Sequence, residues 1–276
     1  MTTPHDDVDA APLDATPRDT TSRDTAPLEV VGRIRAASNA TFLARIGDVS
    51  VVYKPVAGEK PLWDFPDGTL AGREVAAYLV SETLGWGVVP RTWLRDGPLG
   101  PGMVQLWQEV DGAQSPVDVV PRPELPRDGV RTVLEGLDAD DRPVTLVHED
   151  SAALRRMAVF DVVVNNADRK GGHVLPLADG RRLGVDHGVT FHVEPKLRTV
   201  LWGWLGASLG DDELAGVEQV RAGLGADLDG DLGRRLAGLL SPDEVAALAD
   251  RCDRLLSTAR FPAPSGDMPA VPWPLF

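Results

Sequence analysis

The stretch Asn165-Asn166-Ala167-Asp168-Arg169-Lys170-Gly171-Gly172-His173 sets amides, a carboxylate, two cations and an imidazole directly after an apolar run. Two short strand patterns follow, 174–177 and 182–185, about the turn Asp179-Gly180, and then Asp186-His187-Gly188. A hairpin returns to its starting point, so Asp168 and Asp186 are brought to one place. Two carboxylates there suit proton transfer by one and divalent-metal binding by the other. His173, His187 and His192 beside Asp186 raise a zinc hydrolase as a rival, but their spacing matches no zinc signature and no HExxH occurs. No GxSxG supports a serine hydrolase. The single Cys252 excludes a disulfide framework and reads as a small apolar helix residue, while His5 and His148 read as solvated loop residues.

The elements that must position these groups begin at Leu28. Residues 29–36, 41–46 and 49–54 read as strands, the first two joined through Ala37-Ser38-Asn39-Ala40 and the last two by the tight turn Gly47-Asp48. A loop with Pro55, Gly58 and Pro61 leads to a helix over 69–84, with Thr69 as N-cap, an apolar stripe of Leu70, Val75, Leu79 and Val80, and Gly85 as its stop. Strands fit 88–94 and 102–108. Residues 111–127, with four prolines, read as a loop, and a hairpin follows with strands near 130–135 and 142–148. Helical spacing returns over 151–165, where Leu154, Met157, Ala158, Asp161 and Val162 recur at three- and four-residue steps. Beyond about 196 the chain reads as mostly helical. Ser241-Pro242-Asp243-Glu244 opens the last helix with a capping box. The fold class is α+β and bilobal. The lobes are a β-rich 28–107 carrying one helix and a mainly helical 108–262 carrying the catalytic and metal-binding loops. An acidic tail over 1–27 reads as disordered, and a Pro-rich tail over 263–276 as extended on the surface, anchored by Trp273 and Phe276.

This order of elements resembles the kinase-like phosphotransferases, in particular their phosphoinositide-kinase and HipA branch. Arg73-Glu74-Val75-Ala76-Ala77-Tyr78 and Val89-Pro90-Arg91-Thr92 are similar to uncharacterised phosphoinositide 3-/4-kinase-like proteins of actinobacteria. The resemblance covers roughly 30–195. It implies an ATP- and divalent-metal-dependent kinase that transfers the γ-phosphoryl group to a hydroxyl; the single cysteine and the absence of a secretory signal make the cytoplasm the simplest compartment. Asp168, with Arg169 after it, is then the catalytic pair. Asp186 holds Mg2+ or Mn2+, together with His173. Lys54, paired with Glu74, offsets phosphate charge, and Ser38 and Asn39 form the phosphate-covering turn. Gln105, Leu106, Trp107 and Gln108 form the hinge against adenine. Three departures stand out. The phosphate turn is not Gly-rich, His173 stands where the superfamily has Asn, and His187 replaces the usual Phe. Asn165 and Asn166 are near enough to substitute as metal ligands. A nucleotide-binding pseudokinase with a regulatory role is the alternative from another class.

Composition bounds the partners. Over 276 residues the formal charge is −14, and residues 1–27 contribute −4 of it. A nucleic-acid partner is not expected, because backbone binding draws on clustered Lys and Arg. No apolar run reaches the length of a membrane helix, and no basic amphipathic helix offers a stable membrane anchor. The acceptor is open among protein, lipid and small metabolite. Lys196 and Arg198 lie where a substrate segment belongs. Trp202 and Trp204 read as core packing, with an acceptor pocket or a lipid contact as the rival role.

Overall fold

The computed structural model describes residues 26–34, 39–66, 68–266 and 268–276. The acidic tail up to residue 25, and Ala37 and Ser38 of the expected phosphate turn, lie outside them.

Five strands form one antiparallel sheet: β1 (Leu28–Arg33), β2 (Phe42–Ile46), β3 (Val49–Pro55), β4 (Thr92–Gly97) and β5 (Gly100–Leu106), in the order β1-β2-β3-β5-β4. Alternation along β2 and β3 turns Ala44, Ile46, Val51 and Tyr53 inward, where they form a small core with Leu28 and Val104. The β4–β5 hairpin is displaced from the expected 88–94 and 102–108. Its ladder runs through the Gly/Pro-rich stretch as far as the Gly97–Gly100 pair. Both prolines there sit in or beside the turn, where a missing N–H costs no ladder bond.

Helix α1 (Leu70–Leu84) is the expected one, with Gly85 in the left-handed conformation at its end. Its first turn is capped from a distance. Both Glu59 carboxylate oxygens accept, from the Leu70 and Ala71 amides, at 3.1 and 2.8 Å. The Thr69 hydroxyl instead donates to the Pro66 carbonyl. Although α1 lies within the first 107 residues, Val75, Ala76, Leu79, Val80 and Leu84 are buried in the larger core. The helix therefore bridges the two lobes.

That larger core is built by α2 (Ala152–Val164), α3 (Asp211–Leu224), α4 (Asp231–Leu236) and α5 (Pro242–Thr258). The expected capping box is present: the Ser241 hydroxyl accepts from the Glu244 amide, and Glu244 Oε2 accepts from the Ser241 amide. The other Glu244 oxygen takes Arg73 Nη2 of α1 at 2.5 Å, while Arg73 Nη1 donates to the Thr190 carbonyl at 2.7 Å. One cap thus holds α5 to α1.

The Pro-rich segment 111–127 is not wholly a loop. It contributes β6 (Val117–Pro121) to a three-stranded antiparallel sheet with β7 (Val130–Leu137) and β8 (Pro143–Glu149), in the order β6-β8-β7. Pro116 and Pro121 bracket an edge strand, a place that tolerates proline. His148 lies buried on the central strand of this sheet, not in a solvated loop. Its Nδ1 bonds the Glu149 carbonyl at 2.8 Å, and its Nε2 accepts from the Gly203 amide at 3.1 Å. Its ring lies against Trp204, which is buried and donates to Asp150. Trp204 is core, and Trp202 donates to the Ala270 carbonyl.

The C-terminal tail forms no helix, and of its two expected anchors Phe276 packs against the protein while Trp273 does not. Trp273 is 81% exposed, whereas the Ala270 and Leu275 carbonyls accept from the Thr199 and Gly171 amides at 3.1 and 2.8 Å. The Phe276 ring lies so close to Gly171 that a Cβ there would overlap it. Among the described residues, no helix is long and apolar enough to cross a membrane.

Three outcomes follow for stability. Ser241→Ala removes a cap and is expected to cost about 1 kcal/mol, a fall in Tm of about 2–4 °C for a chain of this size. Arg73→Leu strands Glu244 and is expected to cost about 3–5 kcal/mol, read by thermal or urea unfolding. Burial pulls His148 below its ordinary value near 6.5, as does Arg131 beside it, against the raising effect of the Glu149 carbonyl bond. The unfolded chain then takes up the proton first, so stability falls as pH drops through about 6.5. His148→Gln is expected to flatten the urea midpoint against pH in that window, by up to about 1.4 kcal/mol per pH unit.

Candidate active site

The loop 165–173 is shaped from beneath by α2. Asn165 ends the helix in the left-handed conformation, φ 53°, and the chain reverses there. Its amide nitrogen donates to the His192 and Glu194 carbonyls at 2.8 and 2.7 Å, and its oxygen accepts from the Lys196 amide at 2.9 Å. Asn166 donates to Asp161 Oδ1 at 2.9 Å and accepts from the Asp168 amide at 3.0 Å. Both asparagines are buried and fully engaged in shaping the backbone, so neither substitutes as a metal ligand.

Arg169 does not face the cleft. It is 0% exposed, and its guanidinium spends every donor inside the protein. Nε and Nη2 grip both oxygens of Asp161 at 2.8 Å each, Nη2 also meets His187 Nε2 at 2.7 Å, and Nη1 donates to the His173 and Val185 carbonyls at 3.2 Å. Arginine has only donors, so His187 Nε2 is the acceptor and Nδ1 carries the hydrogen. Burial, then the Arg169 charge, hold His187 well below its usual range, and the ring is neutral. Gly184 lines this cage: a Cβ there would lie 2.9 Å from Arg169 Nη2. Arg169 is a positioning residue, which ties the loop before β9 (Val174–Pro176) to the segment after β10 (Arg182–Gly184).

That tie brings Asp168, His173 and Asp186 together beside Lys54 of the five-stranded sheet. Lys54 on β3 reaches Glu74 Oε1 of α1 and Asp186 Oδ1, each at 2.7 Å. Glu74 Oε2 also accepts from the His187 amide at 2.9 Å. Asp186 has φ 63°, a left-handed backbone that turns its carboxylate to Lys54. The Lys54 charge, foremost, holds Asp186 far below the usual carboxylate range, against burial. Burial opposes the charge on Lys54, but Asp186 and Glu74 together hold it above its ordinary value. Burial raises Glu74, against the pull of Lys54. Burial likewise raises Asp168, opposed by Lys170 Nζ at 3.3 Å and by His173.

His173 faces Asp186 in a way that suits a cation. Its Nδ1 lies 2.9 Å from the Asp168 carbonyl, which can only accept, so Nδ1 carries the hydrogen. Burial, first, and the Arg169 charge lower its pKa, against the nearby Asp186, so the ring is neutral at pH 7. Nε2 then presents a bare lone pair 3.3 Å from Asp186 Oδ2. Two acceptors that close can share either a proton or a cation. Among the described residues no group of three or more His, Cys, Asp or Glu is placed to hold a metal ion. The zinc hydrolase reading therefore lacks a ligand set, since zinc sites draw three or four protein ligands. Two protein ligands, with substrate oxygens and water for the rest, are the habit of Mg2+, and the imidazole favours Mn2+.

The remaining expected residues are spread. Asn39 accepts from the Lys60 amide at 3.0 Å and lines the small space beside Lys54. Gln105 is buried on Thr92, at 2.9 Å, and points away from a hinge role. The Leu106 and Trp107 amides are bound to the Arg91 and Ser50 carbonyls. Gln108 is the first amide past the sheet without a bond among the described residues, while its side chain reaches the Leu106 carbonyl at 3.3 Å. Lys196 is buried on Asp64 at 2.7 Å and is not free to meet an acceptor. Sequence reasoning passed over Asp161, His187 and Glu59 as supporting groups. For Asp161 a signal existed, a lone acid on the apolar face of a helix.

Arg169→Met is expected to leave Asp161 buried and unpaired, lowering stability by about 3–5 kcal/mol in chemical denaturation. Asp161→Asn together with Arg169→Met is expected to recover part of that loss, which a double-mutant cycle reads directly.

No family model matches the chain. Among solved structures, it is similar to the Helicobacter pylori proinflammatory kinase CtkA, with a TM-score of 0.45 and 13% identity over 85% of this chain and 93% of that one. Among curated proteins it is 52% identical over 261 residues to protein Rv2133c of Mycobacterium tuberculosis, covering 90% of this chain and 92% of the relative. At that identity and coverage, the chain belongs to the family of Rv2133c.

Proposed function

We propose that this protein is a kinase-like phosphotransferase that uses ATP and a divalent metal, of the phosphoinositide-kinase-like branch that its sequence resembles. The observation that carries the reading is the placement of Lys54 Nζ between Glu74 and Asp186, each at 2.7 Å, with His173 at the second Asp186 oxygen. A strand lysine held by a helix glutamate is a phosphate-binding cation with its position set in advance. Asp186 and His173 would hold the metal, which when bound offsets charge on the transferring phosphoryl group.

The enclosed space beside Lys54, Glu74, Met103 and Asp186 measures about 20 Å³, room for one water. The Lys54–Asp186 contact is therefore the closed form of the site. With nucleotide and metal bound, Lys54 would hold phosphate oxygens and Asp186 would hold the cation in place of their contact with each other. Glu74 keeps Lys54 in place throughout, anchored by the His187 amide. Asp168 is 30% exposed and raised by burial, so it can accept the proton of an acceptor hydroxyl. Lys170 at 3.3 Å stabilises its ionised form between turnovers. The free Gln108 amide is the donor offered to adenine.

The closed space and the histidine in the metal set also favour a second reading, a nucleotide-binding pseudokinase. ADP release with Mg2+ and with Mn2+ separates the two. Wild type is expected to turn over, faster with Mn2+, and Asp168→Ala and Asp186→Asn to lose a hundredfold or more. His173→Asn is expected to shift the preference toward Mg2+. A nucleotide-induced rise in Tm with turnover equal in all variants would install the pseudokinase, and no rise with any metal would sink both.

A further inference from the structure

A second cavity, of about 740 Å³, opens between α2, the segment 193–197, α5 and the tail that follows it. Its size falls within the range of small-molecule sites. Val162, Leu197, Leu255 and Phe261 give it apolar walls, and Arg251, Arg254 and Arg260 supply its charge. No acidic residue lines it among the described residues, in a chain whose formal charge is −14.

The three arginines are incompletely paired. Arg251 is 7% exposed; its Nε donates to the Val163 carbonyl at 2.8 Å and its Nη1 reaches the His192 carbonyl at 3.4 Å. Its Nη2 is buried with no partner among the described residues. Burial lowers its pKa to about 10, so the group is still charged at neutral pH. Asp250 and Glu244 act on it only from a distance, no ion pair is formed among the described residues, and an anion that reached it would relieve the cost of its burial. Arg254 is exposed and makes no side-chain bond among the described residues, and Arg260 spends one nitrogen on the Gly206 carbonyl at 2.9 Å. By contrast, a larger groove of about 1170 Å³ beside β6, β7 and β8 has Asp138 as its one charged lining residue among the described residues, and a lone carboxylate does not select a ligand.

We infer that the cavity under the segment 193–197 is a binding site for a single-chain amphiphilic anion, its hydrocarbon against Val162, Leu197, Leu255 and Phe261 and its anionic head on Arg251, Arg254 and Arg260. The arginine cluster selects the head and the apolar walls take the chain. Both are required, because neither a bare anion nor an uncharged chain satisfies the whole lining. The site is separate from the Lys54–Asp186 cluster, and its occupancy does not depend on phosphotransferase activity.

Calorimetric titration of the full chain with sodium dodecanoate, kept below its micelle concentration, tests the assignment. The controls are dodecyltrimethylammonium, with the same chain and the opposite charge, and inorganic phosphate, a head without a chain. Dodecanoate is expected to bind at one site, with both controls tenfold weaker or more. Arg254→Glu with Arg260→Glu, both exposed positions, is expected to weaken dodecanoate at least tenfold while leaving the unliganded Tm unchanged. Val193→Trp, at a half-exposed wall position, fills the apolar part with the charges intact and is expected to weaken it similarly. The inference is overturned if wild type does not bind dodecanoate. It is equally overturned if either control binds as well as dodecanoate, or if both variants bind it like wild type.

Discussion

One guanidinium organises this protein. All five N–H donors of Arg169 are used within the protein, on Asp161, His187 and the carbonyls of His173 and Val185. Burying such a group is costly unless its charge is matched and its donors are satisfied. The matching carboxylate stands on α2, and the carbonyls belong to the two ends of the β9–β10 hairpin. Satisfying Arg169 therefore closes the hairpin and lays Asp168 and Asp186 side by side. The same demand sets the tautomer of His187 and keeps a glycine at 184.

From that brace a polar chain runs to the smaller lobe. His187 lies between Arg169 and Glu74, Glu74 holds Lys54, and Lys54 meets Asp186. Ion pairs in such surroundings add little net stability, because desolvation offsets attraction. What they provide is placement. The hydrophobic face of α1 is sunk in the larger core while its Glu74 serves the sheet's lysine, so one helix sets the distance between the lobes. The Glu59 cap, the Arg73–Glu244 pair and the Lys196–Asp64 pair reinforce that distance from three sides.

The α+β order was legible in the chain: period-two strands before 107, period-3.6 helices after 151, and their punctuation by Gly47, Gly85 and Ser241. Those signals are local, written in residues a few positions apart. The β-rich and helical halves followed, as did the meeting of Asp168 with Asp186, because a short hairpin leaves its ends no other choice. The strand hidden among the prolines at 116, 121, 123 and 126 was not legible, since its existence depends on pairing with β8. Nor was the burial of His148, which the sheet and Trp204 impose from opposite sides.

For the site, residue order brought Asp168 to Asp186, and the family resemblance carried by the sequence added Lys54, Glu74 and His173 to them. Tertiary structure alone decided what each can do. Arg169 and Asp168 are neighbours in sequence, yet one is sealed in a cage and the other is turned to the cleft. Asn165 and Asn166 offer oxygens suited to a metal, yet the folded backbone uses them first. Lys196 carries a free charge on paper and is spent on Asp64, 132 residues away. The physical reason is common to all of them. A side chain's chemistry is set by which donors and charges remain after the fold has satisfied its own buried groups, and those partners are distant in sequence.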